Sequence, residues 1–525
     1  MGKVIIRSAI VPVAVAGLIA GAGCSTGSSG DSSAVTYAVR SDPGNLDPSL
    51  TTNSAATQMD GLAYDALVAL DKSGRVVSNL AKTWTATATQ ATFTLVKGVK
   101  CDDGHELTVE DVASNFNWIK NPANQSPLFG SVLPQSGYTV TADGAAGRLT
   151  ITFAKPNGFI LEQLSKVYIV CPSSLANRGK LAAGTDGTGP FKLTSATPGH
   201  TYNFVPRAGY TWGPNGATTG VAHFPGKLTV EVSNNESTAA NQLLTAGLNI
   251  ADIRGPDVKR LNAAHLYAQS YPHITSELFF NQSTGRILAD ETVRRALVQA
   301  TNLGQVAKVN TGSLGTVATR LTDGGSEPCT ADITTGVLPA YDVAAANKSL
   351  DQAGWTKQAD GKRAKNGKRL ALTLIYPSNA QTSVAAAQLL AGQWTQDLSI
   401  DVKATPLTPA AIDGRWSKSG NWGDVALARA SDQLPPNLVG QFSGAQPPKG
   451  TNFSAIDNPQ YTADAQAAYS ATGASACAAW DKAGKDLIRA VNVVPVSAQP
   501  STFFGNGVKF EVGAGTVIPT SIRTN

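Results

Sequence analysis

"RLALTLIYPSNAQTSVAAAQLLAGQWTQDLSIDVKATPL", residues 369–407, changes its pattern twice within one short stretch. Residues 369–377 read as a strand, residues 380–398 as a helix, and residues 399–407 as a second strand. Strand, helix and strand joined by short connections form a βαβ unit, the building block of a parallel sheet covered by helices. The segments upstream agree. "DETVRRALVQATN" (290–302) and "YDVAAANKSLDQAGW" (341–355) are two further helices, opened by Asp290 and Asp342 as N-caps, and Gly354 closes the second. The fold class is therefore α/β.

The first half is richer in strands. "AVTYAVR" (34–40) is extended and "SDPGNLDP" after it is turn chemistry. "ATFTLVKGVK" (91–100) alternates as a strand. Thr108 and Asp111 then form a capping-box start, followed by Val112, Phe116 and Ile119 at helical spacing. This helix must stop before Asn121-Pro122. A hairpin around Asp143-Gly144 runs into "RLTITFAK".

The N-terminus carries a different message. Lys3 and Arg7 precede an apolar run from Ser8 to Ala20, too short to span a bilayer, and Gly21, Ala22 and Gly23 follow. Residues 1–23 read as an export signal. Ala22-Gly23-Cys24 resembles a lipobox, in which the cysteine is acylated and becomes the mature N-terminus, although Gly21 stands where leucine is usual. On this reading lipid on Cys24 holds the protein to the outer face of the membrane, and residues 24–33 form a flexible tether. The alternative is an ordinary signal peptide with an incidental cysteine.

Composition excludes several classes. The chain has 525 residues, enough for two or three domains, and its formal charge of +5 falls to about +3 without Lys3 and Arg7. Lysine and arginine are scattered, so no nucleic-acid partner is expected. Beyond Cys24 there are four cysteines, Cys101, Cys171, Cys329 and Cys477, without CxxC spacing, which suits disulfides in an oxidising compartment. The five histidines lie apart, so no metal or other cofactor is expected. There is no GxSxG elbow, Walker loop or HExxH; "GHEL" at His105 lacks the second histidine. Asp102 and Asp103 read as solvated turn acids, and no enzyme is expected.

The order of motifs resembles a known family. "NLDPSL", "YDALVALDKSGRVVSNLAKTW", "TFTLVKGVKCDDGHELTVEDV", "GTGPFKL", "YTWGP" and "YDVAAANKSLDQAGW" follow one another as in the extracytoplasmic peptide/nickel-type solute-binding proteins of ABC importers. The resemblance covers Val35 to Val496. It implies a two-lobed periplasmic-binding-protein-like receptor with an extra subdomain inserted in lobe I. Lobe I would comprise residues 34–57, 188–277 and 497–525, with the subdomain at 58–187 and lobe II at 278–496. Of the three possible disulfide pairings, Cys101–Cys171 with Cys329–Cys477 keeps each bond within one of these domains. The implied partners are a peptide ligand and an ABC permease, with the receptor itself a monomer. The alternative is the same fold holding another organic ligand or acting as a sensor lipoprotein.

A receptor indifferent to peptide sequence must hold what all peptides share: the α-ammonium, the backbone and the carboxylate. The family places its ammonium-binding Asp in a segment resembling "GDVALARASDQLPPN" (423–437). The matching residue is Asp432, with Ala428 to Ala430 offering a strand edge and Arg429 standing where tryptophan is common. A turn cap before Pro435-Pro436 is the competing role for Asp432. Asn281 faces the cleft or holds the hinge; Tyr64 packs under the ligand or in the subdomain core. Trp422 lines a pocket or is a strand neighbour. Tyr210 and Trp212 read as structural. Nickel and haem fit poorly, since only Met59 remains after signal removal and no histidine cluster exists.

Overall fold

The computed structural model describes residues 34–323, 328–418, 421–430 and 432–525. The export signal, Cys24 and the tether fall in residues 1–33, outside the described residues. Ten strands form one continuous sheet. From one edge the order is Asp401–Leu407, Ala371–Pro377, Val425–Ala428, Tyr267–Phe280, Val493–Gly505, Ile250–Ile253, Ala34–Val39, Lys227–Val232, Thr201–Pro206 and Phe191–Thr197.

The βαβ unit sits at the first edge. Ala371–Pro377 pairs parallel with Asp401–Leu407, and the helix Gln381–Asp397 crosses between them. Its apolar side places Ala387, Leu390 and Trp394 in the lobe II core with Leu372 and Leu374. The helices Glu291–Gln299 and Val343–Gln352 cover the same face, and Asp290 and Asp342 accept hydrogen bonds at their N-termini. Gly354 follows the second helix at φ +83°, a left-handed conformation that any side chain would strain.

Two long strands, Tyr267–Phe280 and Val493–Gly505, run through the middle of the sheet. Their outer partners differ along their length. Near Gly505 the second pairs with Ile250–Ile253 of lobe I; near Phe280 the first pairs with Val425–Ala428 of lobe II. The two strands thus link the two ends of the sheet. Where they meet, the register shifts between Ile274, Ser276 and Glu277. An irregularity of this kind loosens the ladder and bends the strands. Ser276 and Ser497 fill the gap with mutual hydroxyl contact at 2.8 Å, and the Asn310 amide donates to both.

The inserted subdomain is a four-stranded antiparallel sheet, in the order Ala81–Ala86, Gln90–Leu95, Arg148–Phe153 and Tyr138–Asp143. The helix Val109–Lys120 packs on it, started by the Thr108–Asp111 capping box and ended at Asn121. Val112, Phe116 and Ile119 face the sheet in a core that runs from Leu67 to Cys171 and also takes in Tyr210 and Trp212. The helix Ser54–Ala63 instead packs Met59, Leu62 and Ala63 into the lobe I core. Cys101 is joined to Cys171 and Cys329 to Cys477. Asp102 and Asp103 are exposed, as their turn position suggested, and Asp102 also has cationic neighbours. The nearly buried Arg207 guanidinium lies 2.8 Å from its carboxylate, and the Lys192 ammonium 3.2 Å. Among the described residues no helix is long and apolar enough to cross a membrane.

Candidate functional site

A cleft of about 610 Å³ opens beside the crossing strands, walled by lobe I, the subdomain and lobe II. On the lobe I side stands the end of the helix Ser54–Ala63, which the Asn53 side chain caps through the Ala55 N–H. "GTGPF" supports it from behind. A Cβ on Gly189 would lie 2.5 Å from the Tyr64 nitrogen, so only glycine allows this approach, and the Gly189 N–H donates to the Ala63 carbonyl. Tyr64, 1% exposed, touches the cleft, and its hydroxyl donates to the Leu46 carbonyl at 3.2 Å.

Behind Tyr64 lies Asp65. Its carboxylate accepts from the Tyr210 hydroxyl at 2.9 Å, the Thr188 hydroxyl at 2.9 Å and the Trp212 indole N–H at 3.1 Å. Burial raises its pKa to about 6 even against these donors. Tyr210 and Trp212 are thus framework residues of the cleft floor.

The subdomain wall is built by "SKVYIV", residues 165–170. Tyr168 bridges Ala66, and the Ile169 N–H donates to the Asp65 carbonyl. Successive side chains in such a segment alternate faces. Val167 and Ile169 are buried in the subdomain core, which turns Lys166 and Tyr168 to the cleft.

Lobe II contributes Arg429, Asp323 and Asp432. The Arg429 guanidinium donates to the Ile274 carbonyl at 2.9 Å and to Asp323 at 3.1 Å. Asp323 also receives the Ile274 N–H, and His273 Nδ1 lies at 3.2 Å. Burial alone would raise the Asp323 carboxyl, but the His273 hydrogen bond and the Arg429 charge outweigh it and hold it low. Asp432 does two things. One carboxylate oxygen caps the turn, accepting from the Leu434 N–H at 3.2 Å and the Asn437 amide at 3.0 Å, while the side chain also lines the cleft. Gln433 beside it donates to the Ala514 carbonyl at 3.3 Å, joining lobe II to the C-terminal segment.

Asp432, Arg429 and Tyr64 therefore meet at the cleft. Four other expected residues do not. Trp422 is fully buried in the lobe II core with its indole N–H on the Phe453 carbonyl at 2.7 Å. The Asn281 amide donates to the Gly423 carbonyl at 3.0 Å, a contact between the adjoining ends of two neighbouring strands. Ala428 is buried opposite Glu277, and the Ala430 N–H donates to the Glu277 carboxylate at 3.1 Å, so that N–H is not open to a ligand. Sequence reasoning missed Asp60, Lys166, Tyr168, Arg254, His273 and Asp323, all on the cleft wall. The alternation in "SKVYIV" is the signal that could have found Lys166 and Tyr168. Among the described residues no group of acidic, histidine or cysteine side chains is arranged to hold a metal.

With the geometry in place, comparison with known proteins is decisive. The model of the bacterial extracellular solute-binding proteins, family 5, matches residues 75–445. The chain belongs to this family. It is a non-catalytic, extracytoplasmic solute-binding protein of the peptide/nickel type that serves ABC importers. The oligopeptide-binding protein OppA of Lactococcus lactis subsp. cremoris is 27% identical over 498 residues, covering 82% of this chain and 78% of its own. The periplasmic murein peptide-binding protein MppA of Escherichia coli is 23% identical over 501 residues, covering 87% and 86%. The crystal structure of the substrate-binding protein CtaP of Listeria monocytogenes superposes with a TM-score of 0.78 at 16% identity, covering 94% and 99%. Such a likeness establishes the two-lobed fold.

Proposed function

We propose that this protein is a lipid-anchored receptor that captures peptides by closing its two lobes and delivers them to an ABC permease. The observation that carries the reading is the cleft itself. It is walled by residues from both lobes, and the lobes are joined through two strands that are irregular where they cross. A ligand touching both walls stabilises the closed arrangement, and its differential contact with closed and open forms sets how far the equilibrium moves. A volume of about 610 Å³ lies inside the range of small-ligand sites, roughly 300–1,000 Å³, which suits a short peptide. The relatives named for peptide binding support the same ligand class.

Asp432 is the proposed acceptor of the peptide ammonium, and Lys166 supplies a cation for the carboxylate. In the closed cleft both charges leave water. Asp432→Ala then strands the ammonium, at a cost of about 2–5 kcal/mol, or more than tenfold in affinity at about 1.4 kcal/mol per decade. Titration calorimetry with free and N-acetylated peptides against both proteins tests this. Acetylated peptides should bind wild type poorly and lose little more on the mutant. If Asp432→Ala binds free peptides as tightly as wild type does, Asp432 is a turn cap only.

The anchor is tested separately. Cys24→Ala should move the protein from the membrane fraction to the medium; unchanged fractionation refutes lipidation at Cys24.

A further inference from the structure

Among the described residues the acids on the cleft wall each have a partner, with one exception. Arg254 lies 2.7 Å from Asp252, and Arg429 lies 3.1 Å from Asp323. Asp432 accepts from the Leu434 N–H and the Asn437 amide. Asp65 is held by Tyr210, Trp212 and Thr188. That leaves Asp60.

Asp60 is 5% exposed and lines the cleft, and its carboxyl makes no hydrogen bond or ion pair with any of the described residues. Nothing local calls for an acid there. The residue lies in the last turn of the helix Ser54–Ala63, where the negative end of the helix dipole disfavours a carboxylate. Asp47 is its nearest charged influence and is repulsive, and Asp47 is already matched by Arg178 at 2.6 Å. Burial, with Asp47 adding to it, pushes the Asp60 carboxyl well above the usual range. A buried carboxylate without a partner is costly, so the empty site favours the protonated acid and an arriving cation favours the ionised one. The Tyr168 hydroxyl lies on the same cleft wall, 3.4 Å from where a Cβ on the adjacent Gly61 would lie, and is likewise without a hydrogen bond among the described residues. An acid and a hydroxyl acceptor, both open to the same cleft, are complementary to a donor-rich cation.

We infer that Asp60 and the Tyr168 hydroxyl form a subsite for an organic cation, an alkylammonium or guanidinium, presented as the lysine or arginine side chain of a bound peptide. The subsite is separate from the proposed ammonium acceptor Asp432. With Asp432 and Lys166 taking the two ends of a peptide, a cation arriving at Asp60 favours loss of that carboxyl's proton and pairs with the charge so formed, so the preferred ligand carries a net positive charge. This deepens the peptide-receptor reading and rests on it.

The test is calorimetric titration of tripeptides carrying either lysine or norleucine at each position in turn. Wild type and Asp60→Asn are compared. Norleucine matches the aliphatic stem of lysine and lacks the ammonium. Wild type should prefer the lysine peptide by tenfold or more at one position, and Asp60→Asn should shrink that preference to about threefold or less. The melting temperature of ligand-free Asp60→Asn should not fall below that of wild type, which a structural acid would not allow. A second arm uses cadaverine and agmatine as free cations, read by thermal shift. If peptides fail but these cations stabilise wild type and not Asp60→Asn, the cation subsite stands and the peptide reading falls. If lysine and norleucine peptides bind wild type alike, or the preference survives in Asp60→Asn, the subsite is refuted and the peptide reading stands. If neither peptides nor cations bind, both are refuted.

Discussion

Asp65 is the residue on which the cleft floor depends. Three side chains from the stretch 188–212 converge on its carboxylate, and burial still holds its pKa near 6. The sign of the consequence follows from linkage. The folded state binds its proton more tightly than the unfolded state, so the stability due to Asp65 is present in full below about pH 4 and is lost as pH rises through about 6. Above that pH the ionised carboxylate relies on its donors. Tyr210→Phe removes one of them, at a cost of about 1.5–3 kcal/mol when the acceptor is charged and less when it is protonated. Urea melts of Tyr210→Phe should therefore show a larger loss at pH 8 than at pH 5; equal losses would show that the hydroxyl contributes packing alone. Tyr210 and Trp212 were legible as structural residues because "YTWGP" offers aromatics without reactive neighbours. Asp65 was not, since a lone acid in "YDALV" gives no sign of the donors that arrive from more than a hundred residues away.

At the level of elements, residues 157–159 leave the subdomain and enter the core of lobe II. Phe159 is buried in the lobe II core with Phe279 and Trp480. Gly158 passes so close to the chain that a Cβ there would lie 1.8 Å from the Ala471 carbonyl oxygen. Opening the lobes must break this contact, so it belongs to the closed arrangement. Gly158→Val should hold the lobes apart and weaken ligand binding by more than tenfold without touching the cleft wall. Calorimetry measures the affinity, and small-angle scattering should show a larger radius of gyration with ligand present than for wild type. An unchanged affinity would mean that the loop yields. The βαβ unit, the capping box at Thr108 and the N-caps at Asp290 and Asp342 were all readable, because each is a local pattern whose chemistry lies within a few residues. The Phe159 insertion was not. A phenylalanine after "PNG" looks like any core residue until the tertiary fold says which core it enters. Trp422 misled for the same reason: its burial was foreseeable, its distance from the cleft was not.

For the whole molecule the proposed closure turns on the two long strands at the centre of the sheet. Glu277 sits at the register shift of the first crossing strand, fully buried, with its carboxylate on the Ala430 N–H. Burial raises its pKa to about 8; the Arg429 charge lowers it, and Asp323 raises it. Stability from Glu277 is thus complete below about pH 4.5 and lost as pH rises through about 8, at roughly 1.4 kcal/mol per pKa unit. Glu277→Gln keeps an oxygen for the Ala430 N–H and removes the titration. Its melting temperature should vary less between pH 5 and pH 8 than that of wild type, and an identical pH profile would assign the dependence elsewhere. The two-lobed α/β fold was legible from the βαβ unit and the sequence of motifs. The composition of the cleft was not, because its wall draws on residues from position 48 to position 520. The central claim, that this cleft holds a peptide, has one direct test. Native mass spectrometry of the protein purified from its own host should show a ligand-bound species whose released ligand fragments as a short peptide. Release of a non-peptide molecule would contradict the account.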